Sequence, residues 1–552
     1  LSDFVGPPGP KEFAATQLLG SFYKKLAPDG TNTQADAAAL LKFRSVNASV
    51  KSVFSDPPSE FAELVNTFEL ILERCSNVYQ DDLALDLAKI SEGLGVGPGM
   101  NVGAESQAFY SKVFDSKLTT TSDDLLALYR AAILSSDMWA EAERQRFAAF
   151  GRRIVSGNTM FFVPKNREIS RTAATEPTVN MLIQKGIGQF LEQSLWRHFR
   201  IDLRRQPDKN REMARLGSQF GTLATIDLVS ASDMVGLALC ERFLTRSGLN
   251  AWLVRSRSPE TVLPDGSSEK LNMVGTMGNG FSFPLQTLIF ASAVKAVYAI
   301  EGLPFNADNL TFGVFGDDIV CLTKAYDRLC WLLKWLGFEV NEAKSFSVGP
   351  FRESCGFDYY LGHQVRGVYL KTLESVPSVY SAINRLNRWS ATHRVQLPKT
   401  IEALRLMLPK KVHYVPFQES DDAGWKVPSR CLDRVRLVNG LYSYRALVPR
   451  GYRRAVPIDR QGSDALGYRD FNESGWGVTF LGGYAQTVWP MQHLIDENEP
   501  VKAEPRSPPL AFMGLRKMGD FDPVDLLQLY KSRRRVVPWW DLYTWTDSRF
   551  QP

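Results

Sequence analysis

The apolar residues of this chain fall into distinct rhythms, and each rhythm predicts an element. Leu329, Leu332, Leu333 and Leu336 lie on one helical face, which predicts a helix over 326–336 that Gly337 ends. Another helix starts after Ser122. Its hydroxyl caps the chain ahead of Leu125, Leu126, Leu128, Ala131 and Ile133, and Asp123 and Asp124 face the positive end of the helix dipole. Residues 222–228 read as a short, largely buried strand. Residues 311–322 read as two β-rich runs flanking Gly316-Asp317-Asp318, the pattern of a hairpin. Phe281 to Ile300 is largely apolar but carries Pro284, Gln286 and Lys295. A membrane-spanning helix wants about 20 residues with few or no charges, so a buried core helix is predicted and no membrane is expected as a partner. The N-terminal third otherwise reads as helical, broken at Pro57-Pro58 and through the glycine-rich run Gly93–Gly103. That run lacks the Lys-Ser/Thr of a P-loop and the spacing of a dinucleotide fingerprint, so a loop is expected. After about residue 380 the pattern is weak. Val456-Pro457 and Pro505–Pro509 mark loops, the second a linker to a C-terminal tail.

Composition narrows the class. With 552 residues, 44% hydrophobic and 23% charged, the chain is long enough for three or four folding units or one large multi-lobed enzyme, and wholesale disorder is excluded. Six scattered cysteines without a C-x-x-C pair make neither a disulfide scaffold nor a thiolate zinc site, and fit a reducing compartment. The start, Leu-Ser-Asp-Phe, has no basic or apolar region of a signal peptide. The net charge of +5 hides an uneven distribution. Residues 1–150 hold 13 basic and 20 acidic side chains, residues 151–220 hold 13 and 6, and residues 501–552 hold 9 and 6. A polyanion would prefer the second segment and the tail.

The acidic chemistry is concentrated at the hairpin. Asp317 and Asp318 sit at its tip between Phe315-Gly316 and Ile319-Val320. Adjacent carboxylates in a tight turn repel each other, and a divalent cation is the obvious compensation. Gly-Asp-Asp alone is a weak signal, since an acidic turn reads the same way. A third carboxylate, Asp227, ends the other β-like segment 90 residues earlier. Two strands side by side would bring it to the hairpin tip. Three carboxylates at one sheet edge would hold two Mg2+ about 3.5–4 Å apart.

These segments occur in an order that resembles the RNA-directed RNA polymerases of the small positive-strand RNA bacteriophages (leviviruses), the replicase catalytic beta subunits. Val163-Pro164-Lys165-Asn166 through Arg171 and Glu176-Pro177 looks like the basic fingers motif. Leu223 to Leu228 with Ser230-Ala231-Ser232-Asp233 looks like motif A. Thr276-Met277-Gly278-Asn279-Gly280-Phe281-Ser282-Phe283 looks like motif B, and Phe315-Gly316-Asp317-Asp318 like motif C. Gly337-Phe338 with Asn341 and Lys344 looks like motif D. Phe351 to Gly356 with Tyr359-Tyr360 looks like motif E. The series covers about 160 to 365. Phe315 stands where the family more often has Tyr, and Gln286 where many RNA polymerases carry Asn.

The resemblance implies roles. Asp227 and Asp317 would bridge two Mg2+ (Mn2+ can substitute), with Asp318 in support, and Lys344 would act as general acid for pyrophosphate. Lys165, Arg167 and Arg171 would grip the incoming triphosphate. Asp233 would sense the ribose 2′-hydroxyl, with Ser282 and Gln286 in the same network. Gly278, Asn279 and Gly280 would turn the backbone against the template-nucleotide pair.

The fold implied is α+β, a right hand of fingers, palm and thumb with an antiparallel palm sheet. Residues 1–150 would be a mainly helical region associated with fingers and thumb. Fingers would occupy 151–221, palm motif A 222–242, a fingers insertion 243–270, palm motifs B to E 271–375, the thumb 376–500 and a tail 501–552. The implied function is template-directed, primer-independent RNA synthesis from NTPs, copying a phage genome in bacterial cytoplasm. Host elongation factors Tu and Ts and a small-subunit ribosomal protein would be partners. A reverse transcriptase would also place paired Asp in a palm hairpin, but no aromatic gate against a 2′-hydroxyl follows Asp227. A non-catalytic RNA-binding protein on the same scaffold would need a degraded acidic triad. In the tail, Arg533, Arg534 and Arg535 followed by Trp539 and Trp540 suggest a platform of phosphate contacts and stacked bases for RNA.

Overall fold

The computed structural model describes residues 9–25, 32–77, 83–104, 112–113, 116–134, 137–166, 168–370, 372–432, 436–449 and 530–546. Arg167, Val456-Pro457 and Pro505–Pro509 lie outside the described residues, as do 450–500 of the expected thumb and 501–529 of the expected tail. The architecture is mixed helix and sheet.

The Ser282–Ile300 helix is the hub. Leu285, Leu288, Ile289, Phe290, Val294 and Val297 are all fully buried, so it has apolar residues on every side rather than a stripe. The helices Ala62–Ser76, Thr178–Phe199 and Tyr326–Trp335 pack around it. It is the one helix among the described residues long and apolar enough to cross a membrane, and 78% of that apolar window is buried inside the protein. Its half-buried Lys295 places the ammonium over the rings of Phe199 and Phe305, 5.3 and 5.5 Å from their centroids.

Against this hub lies a three-stranded antiparallel sheet in the order Leu223–Ile226, Asp318–Leu322, Gly313–Phe315. The two-residue alternation of a strand buries both faces. Ala224, Ile226, Val314, Ile319 and Cys321 join the core of the hub helix. Leu223 and Val320 meet Met213 of the Gln206–Phe220 helix on the other side. That helix approaches closely because Gly217 has no side chain: a Cβ there would stand 2.6 Å from the carbonyl oxygen of Leu223.

The strand expected over 222–228 is broken. Leu223–Ile226 pairs with Asp318–Leu322, whereas Leu228-Val229 pairs with Glu339-Val340 in a separate two-stranded sheet. Asp227 is the residue at the switch between them. Beyond it, Phe351–Ser354, Phe357–Tyr360 and His363-Gln364 form a second antiparallel sheet. Its turns, Cys355-Gly356 and Leu361-Gly362, have positive φ at both central residues, as a type I′ hairpin requires. Arg352 is fully buried there. Its guanidinium donates to the carbonyls of Leu223 (2.7 Å), Ser347 (3.0 Å) and Gly349 (2.9 Å), and so ties this hairpin to the first strand of the central sheet.

Among the described residues, the N-terminal helices share the cores of later elements. Phe68 and Leu72 belong to the hub cluster, while Ala14 and Leu18 of Pro10–Lys25 pack with Tyr360, Val365, Tyr380 and Leu386. The expected caps are present: Ser122 Oγ accepts from Leu125 N at 3.1 Å, and Gly337, at φ +99°, follows the Tyr326–Trp335 helix. Replacing Gly217 by Ala should cost about 1–3 kcal/mol through overpacking, although Ala favours helix interiors by about 1 kcal/mol. Urea unfolding measures this, and a gain in stability would show that helix and strand are not in such close contact.

Candidate active site

Asp227 leaves the central sheet at the point where residues 341–346 run alongside. Thr225 and Phe346 exchange backbone hydrogen bonds of 3.0 and 2.8 Å, and Asn341 N donates to Asp227 O at 2.9 Å. The side chains follow. Asn341 Nδ2 donates to Asp227 Oδ2 at 2.7 Å, Ser345 Oγ accepts from Asp227 N at 3.1 Å, and Lys344 Nζ stands 4.0 Å from Asp227 Oδ2.

Asp317 occupies the turn between the other two strands. Gly316, the first central residue, has φ +60° and Asp317 does not share that sign, the pattern of a II′ turn. A Cβ at Gly316 would run into the Phe283 ring and stand 2.8 Å from Gln286 Nε2. Gly316 N donates to Thr287 Oγ1 at 3.0 Å, and the rings of Phe283 and Phe315 meet edge to face at 4.7 Å. The first turn of the hub helix therefore clamps the acidic turn. Asp318 points to the second sheet, where its Oδ1 accepts from Cys355 N at 3.0 Å.

Burial first, and charge repulsion after it, raise the two hairpin carboxyls. Burial raises the Asp317 carboxyl above its ordinary range and the Asp227 charge adds to this, while its own backbone N–H, Arg171 and Lys344 act against it. Burial, with the charges of Asp317, Asp227 and Glu353, pushes Asp318 up to about 6 against the bond from Cys355 N. The three carboxylates thus lie within one another's fields. Among the described residues, no three His, Cys, Asp or Glu side chains stand close enough to enclose a metal ion. Mg2+ does not need such a cage: it takes one or two carboxylates and leaves its other positions to water and substrate phosphates. Asp227 and Asp317 fit that open arrangement.

The remaining expected residues lie on the neighbouring hairpin, the turn after Asp227 and the start of the hub helix. Arg171 lies exposed on the strand Ser170–Thr175, with its charge felt at Asp317. Lys165 is exposed at the tip of the same hairpin, its N–H donating to Ile169 O at 2.9 Å. Asp233, in the short turn Ala231–Met234, accepts from the backbone N–H of Met277 and weakly from Ser232 Oγ at 3.4 Å. Burial pushes its carboxyl up to about 6. Ser282 Oγ, Gln286 Oε1 and Asn279 Nδ2 are buried without a hydrogen-bond partner, so each has capacity for a ligand hydroxyl. Gly278, at φ +119°, lets the loop lie on the hairpin where a Cβ would meet Ala174 O, and a Cβ on Gly280 would stand 2.9 Å from Gln184 Cβ. In the protein alone, the close approach these glycines permit is to protein.

The tail residues separate into two groups. Tyr530–Val537 pairs antiparallel with Leu441–Pro449. Arg535 is ion-paired with buried Glu419 at 2.9 Å, and Trp540 is buried against Tyr444 with Nε1 donating to Val427 O at 2.8 Å. These two hold the tail down. Arg533 and Arg534 are exposed, as is Trp539 at 68%. Arg534 donates to Ser443 Oγ at 2.8 Å.

Sequence reasoning placed no role on Ser345, Thr287, Cys355 or Asn341. Only the resemblance to motifs B, D and E marked their segments, because their contacts to the carboxylates are long-range.

Asp233 gives a pH test. Its folded-state carboxyl holds a proton more tightly than the ordinary value of 3.8, so its contribution favours the folded state at low pH and is lost as pH rises through about 6. Asp233→Asn removes that loss. Relative to the parent, its unfolding free energy should rise by about 1–2 kcal/mol between pH 4 and pH 7. Parallel stability curves in urea would show that the carboxyl is well solvated.

The RNA replicase, beta-chain family matches residues 113–429, which include Asp227, Asp233, Asp317, Asp318 and Lys344. The RNA-directed RNA polymerase beta chain of Escherichia phage MS2 is 37% identical over 307 residues, 55% of this chain and 54% of that protein. The RNA-directed RNA polymerase subunit beta of Escherichia virus Qbeta is 39% identical over 259 residues, 46% of this chain and 43% of that protein. The chain therefore spans about half the length of the curated relatives it matches. Among solved structures, the RNA-dependent RNA polymerase of a human picorbirnavirus aligns at a TM-score of 0.35 with 10% identity, over 73% of this chain and 82% of that one, a likeness too weak to weigh. The family match takes in more than half of the 552 residues and the whole acidic centre, and on that ground the chain belongs to the RNA replicase beta-chain family.

Proposed function

We propose that the chain is an RNA-directed RNA polymerase that copies a phage genome from NTPs on an RNA template. The observation that carries this is the convergence of Asp227, Asp317 and Asp318 at the end of an antiparallel sheet, with Lys344 and Arg171 beside them. The reading is a right hand in which that sheet is the palm, residues 151–221 and 243–270 belong to the fingers, and the thumb begins near 376. Asp227 and Asp317 would hold Mg2+ with Asp318 supporting them. Mg2+, when bound, supplies positive charge for the triphosphate and for a nucleophilic 3′-oxygen.

The chain's own groups do the rest. Arg171 and Lys165 hold and orient the triphosphate by charge-assisted hydrogen bonds. Lys344 is placed to protonate the leaving pyrophosphate. Asp233 and the unpartnered atoms of Ser282 and Gln286 receive the ribose hydroxyls. By the same reading the enzyme starts without a primer in the cytoplasm of a bacterial host. It would work in a holoenzyme with elongation factors Tu and Ts and a small-subunit ribosomal protein.

Incorporation of labelled NTPs on an RNA template by the purified chain, with and without bacterial extract, tests the reading. Asp227→Asn and Asp317→Asn should each reduce incorporation by at least about a hundredfold while leaving the fold intact, since each removes several kcal/mol of metal-linked stabilisation. Activity within about tenfold of the parent would sink the metal assignment. Arg171→Ala should raise the KM for NTP about tenfold, as loss of one charge-assisted contact does, with template affinity unchanged. A change in template affinity and its salt slope instead would make this hairpin part of an RNA channel.

A further inference from the structure

Behind the triphosphate hairpin lies a buried polar network that the reaction as described does not use. Its centre is Glu176, 1% exposed, directly after the strand that carries Arg171. Its carboxylate accepts three hydrogen bonds: from Asn158 Nδ2 at 2.9 Å, Gln184 Nε2 at 3.0 Å and Ser258 Oγ at 2.7 Å. Gln184, on the Thr178–Phe199 helix and also fully buried, turns its Oε1 to the backbone N–H of Gly280 at 3.0 Å. Asn158 reaches Thr276 Oγ1 at 3.1 Å. Both ends of the loop 276–280 are thus held by partners of one carboxylate.

The same loop touches the site from the other side. The carbonyl oxygen of Met277 accepts from Ala174 N at 2.7 Å, three residues beyond Arg171, and its backbone N–H acts on the Asp233 carboxyl against the effect of burial. The backbone of Met277, through two successive peptide units, therefore lies between the hairpin that carries Arg171 and the residue assigned to the ribose. A buried carboxylate is costly to desolvate, and an apolar cluster would have sufficed for packing alone. What the polar version adds is fixed geometry: the three bonds to the Glu176 carboxylate set the positions of Asn158, Gln184 and Ser258, although Asn158 Oδ1 is buried without a partner.

We propose that Glu176 and Gln184 are positioning residues that lock the 276–280 loop to the triphosphate hairpin, so that a triphosphate held there sharpens ribose recognition at Asp233. The inference rests on the polymerase reading for its second half. Its first half, the mechanical link, stands on the network alone.

Gln184→Met keeps the side-chain length and removes the bonds to Glu176 and Gly280, together with the one to Ser256 O at 2.9 Å. Hydrogen exchange in the ligand-free full chain should show faster exchange across 276–281 together with 170–175. Incorporation assays should show NTP KM raised about tenfold and NTP-over-dNTP discrimination lowered by a similar factor, the scale of one lost buried hydrogen bond, while template affinity holds. Glu176→Gln, which leaves the chain's shape and places a donor among donors, should act in the same direction and covers the case in which Gln184→Met does not fold. If exchange at 276–281 is unchanged, the link is wrong. If exchange rises but only Vmax falls, with KM and discrimination as in the parent, the network is merely structural and the coupling is overturned. If the parent chain incorporates no nucleotide with bacterial extract present, the polymerase reading and the coupling built on it fall, and the exchange result alone decides the link.

Discussion

Three carboxylates held within one another's fields are the constraint around which this centre is arranged. At an effective dielectric near 20, two unit charges 4 Å apart repel by about 4 kcal/mol, comparable to a large part of a domain's net stability. The backbone is therefore fixed by elements that are buried for other reasons, and each carboxylate receives a different degree of relief. Asp227 has Asn341 and Lys344; Asp318 has the Cys355 amide; Asp317 has its own backbone N–H and the fields of Arg171 and Lys344. Both hairpin carboxyls remain raised, Asp318 to about 6, so the relief the protein supplies is incomplete at each.

The turn stays in place because the hub helix has no freedom to retreat. Phe283 and Thr287 press on Gly316, and the residues behind them are buried on all sides. Ser282 and Gln286 sit on the same first turns of that helix. The groups assigned to the ribose and the turn assigned to the metals thus ride on one rigid element, so a shift that spoils one spoils the other. Rigid elements of this kind place a site more accurately than loops do.

What could be read from the sequence follows from what periodicity reports. The Leu329–Leu336 face, the Ser122 cap and the Gly316-Asp317 turn were legible because each depends on neighbours within a few residues. The hub helix was legible as buried, from its composition, but its partners were not. The docking of Pro10–Lys25 on Tyr360 and Tyr380, and of Tyr530–Val537 on Leu441–Pro449, joins segments hundreds or tens of residues apart, and alternation of apolar residues says nothing about which strand or helix completes the layer. The tail shows the same limit at side-chain level. Its Arg and Trp residues read alike in sequence, yet Arg535 and Trp540 face a buried carboxylate and an aromatic cluster, while Arg533 and Trp539 face outward. The break of the 222–228 strand at Asp227 was equally invisible, because both halves are apolar and only pairing to 318–322 and 339–340 separates them.

The positive charge of residues 151–220 needs the same correction. Seven net charges suggest a broad cationic face, but several arginines there are neutralised locally. Arg204 pairs with Asp202 at 3.1 Å, Arg211 with Asp208 at 3.0 Å and Arg215 with Glu212 at 2.7 Å. Such surface pairs contribute about 0–1 kcal/mol each to stability, so they do little for the fold, yet they cancel field at a distance. Arg171 is different: its charge acts on Asp317 of the central hairpin rather than on an acid of its own strand. A polyanion approaching this segment would feel a weaker attraction than the count implies over the Gln206–Phe220 helix and a sharper one at the hairpin tip.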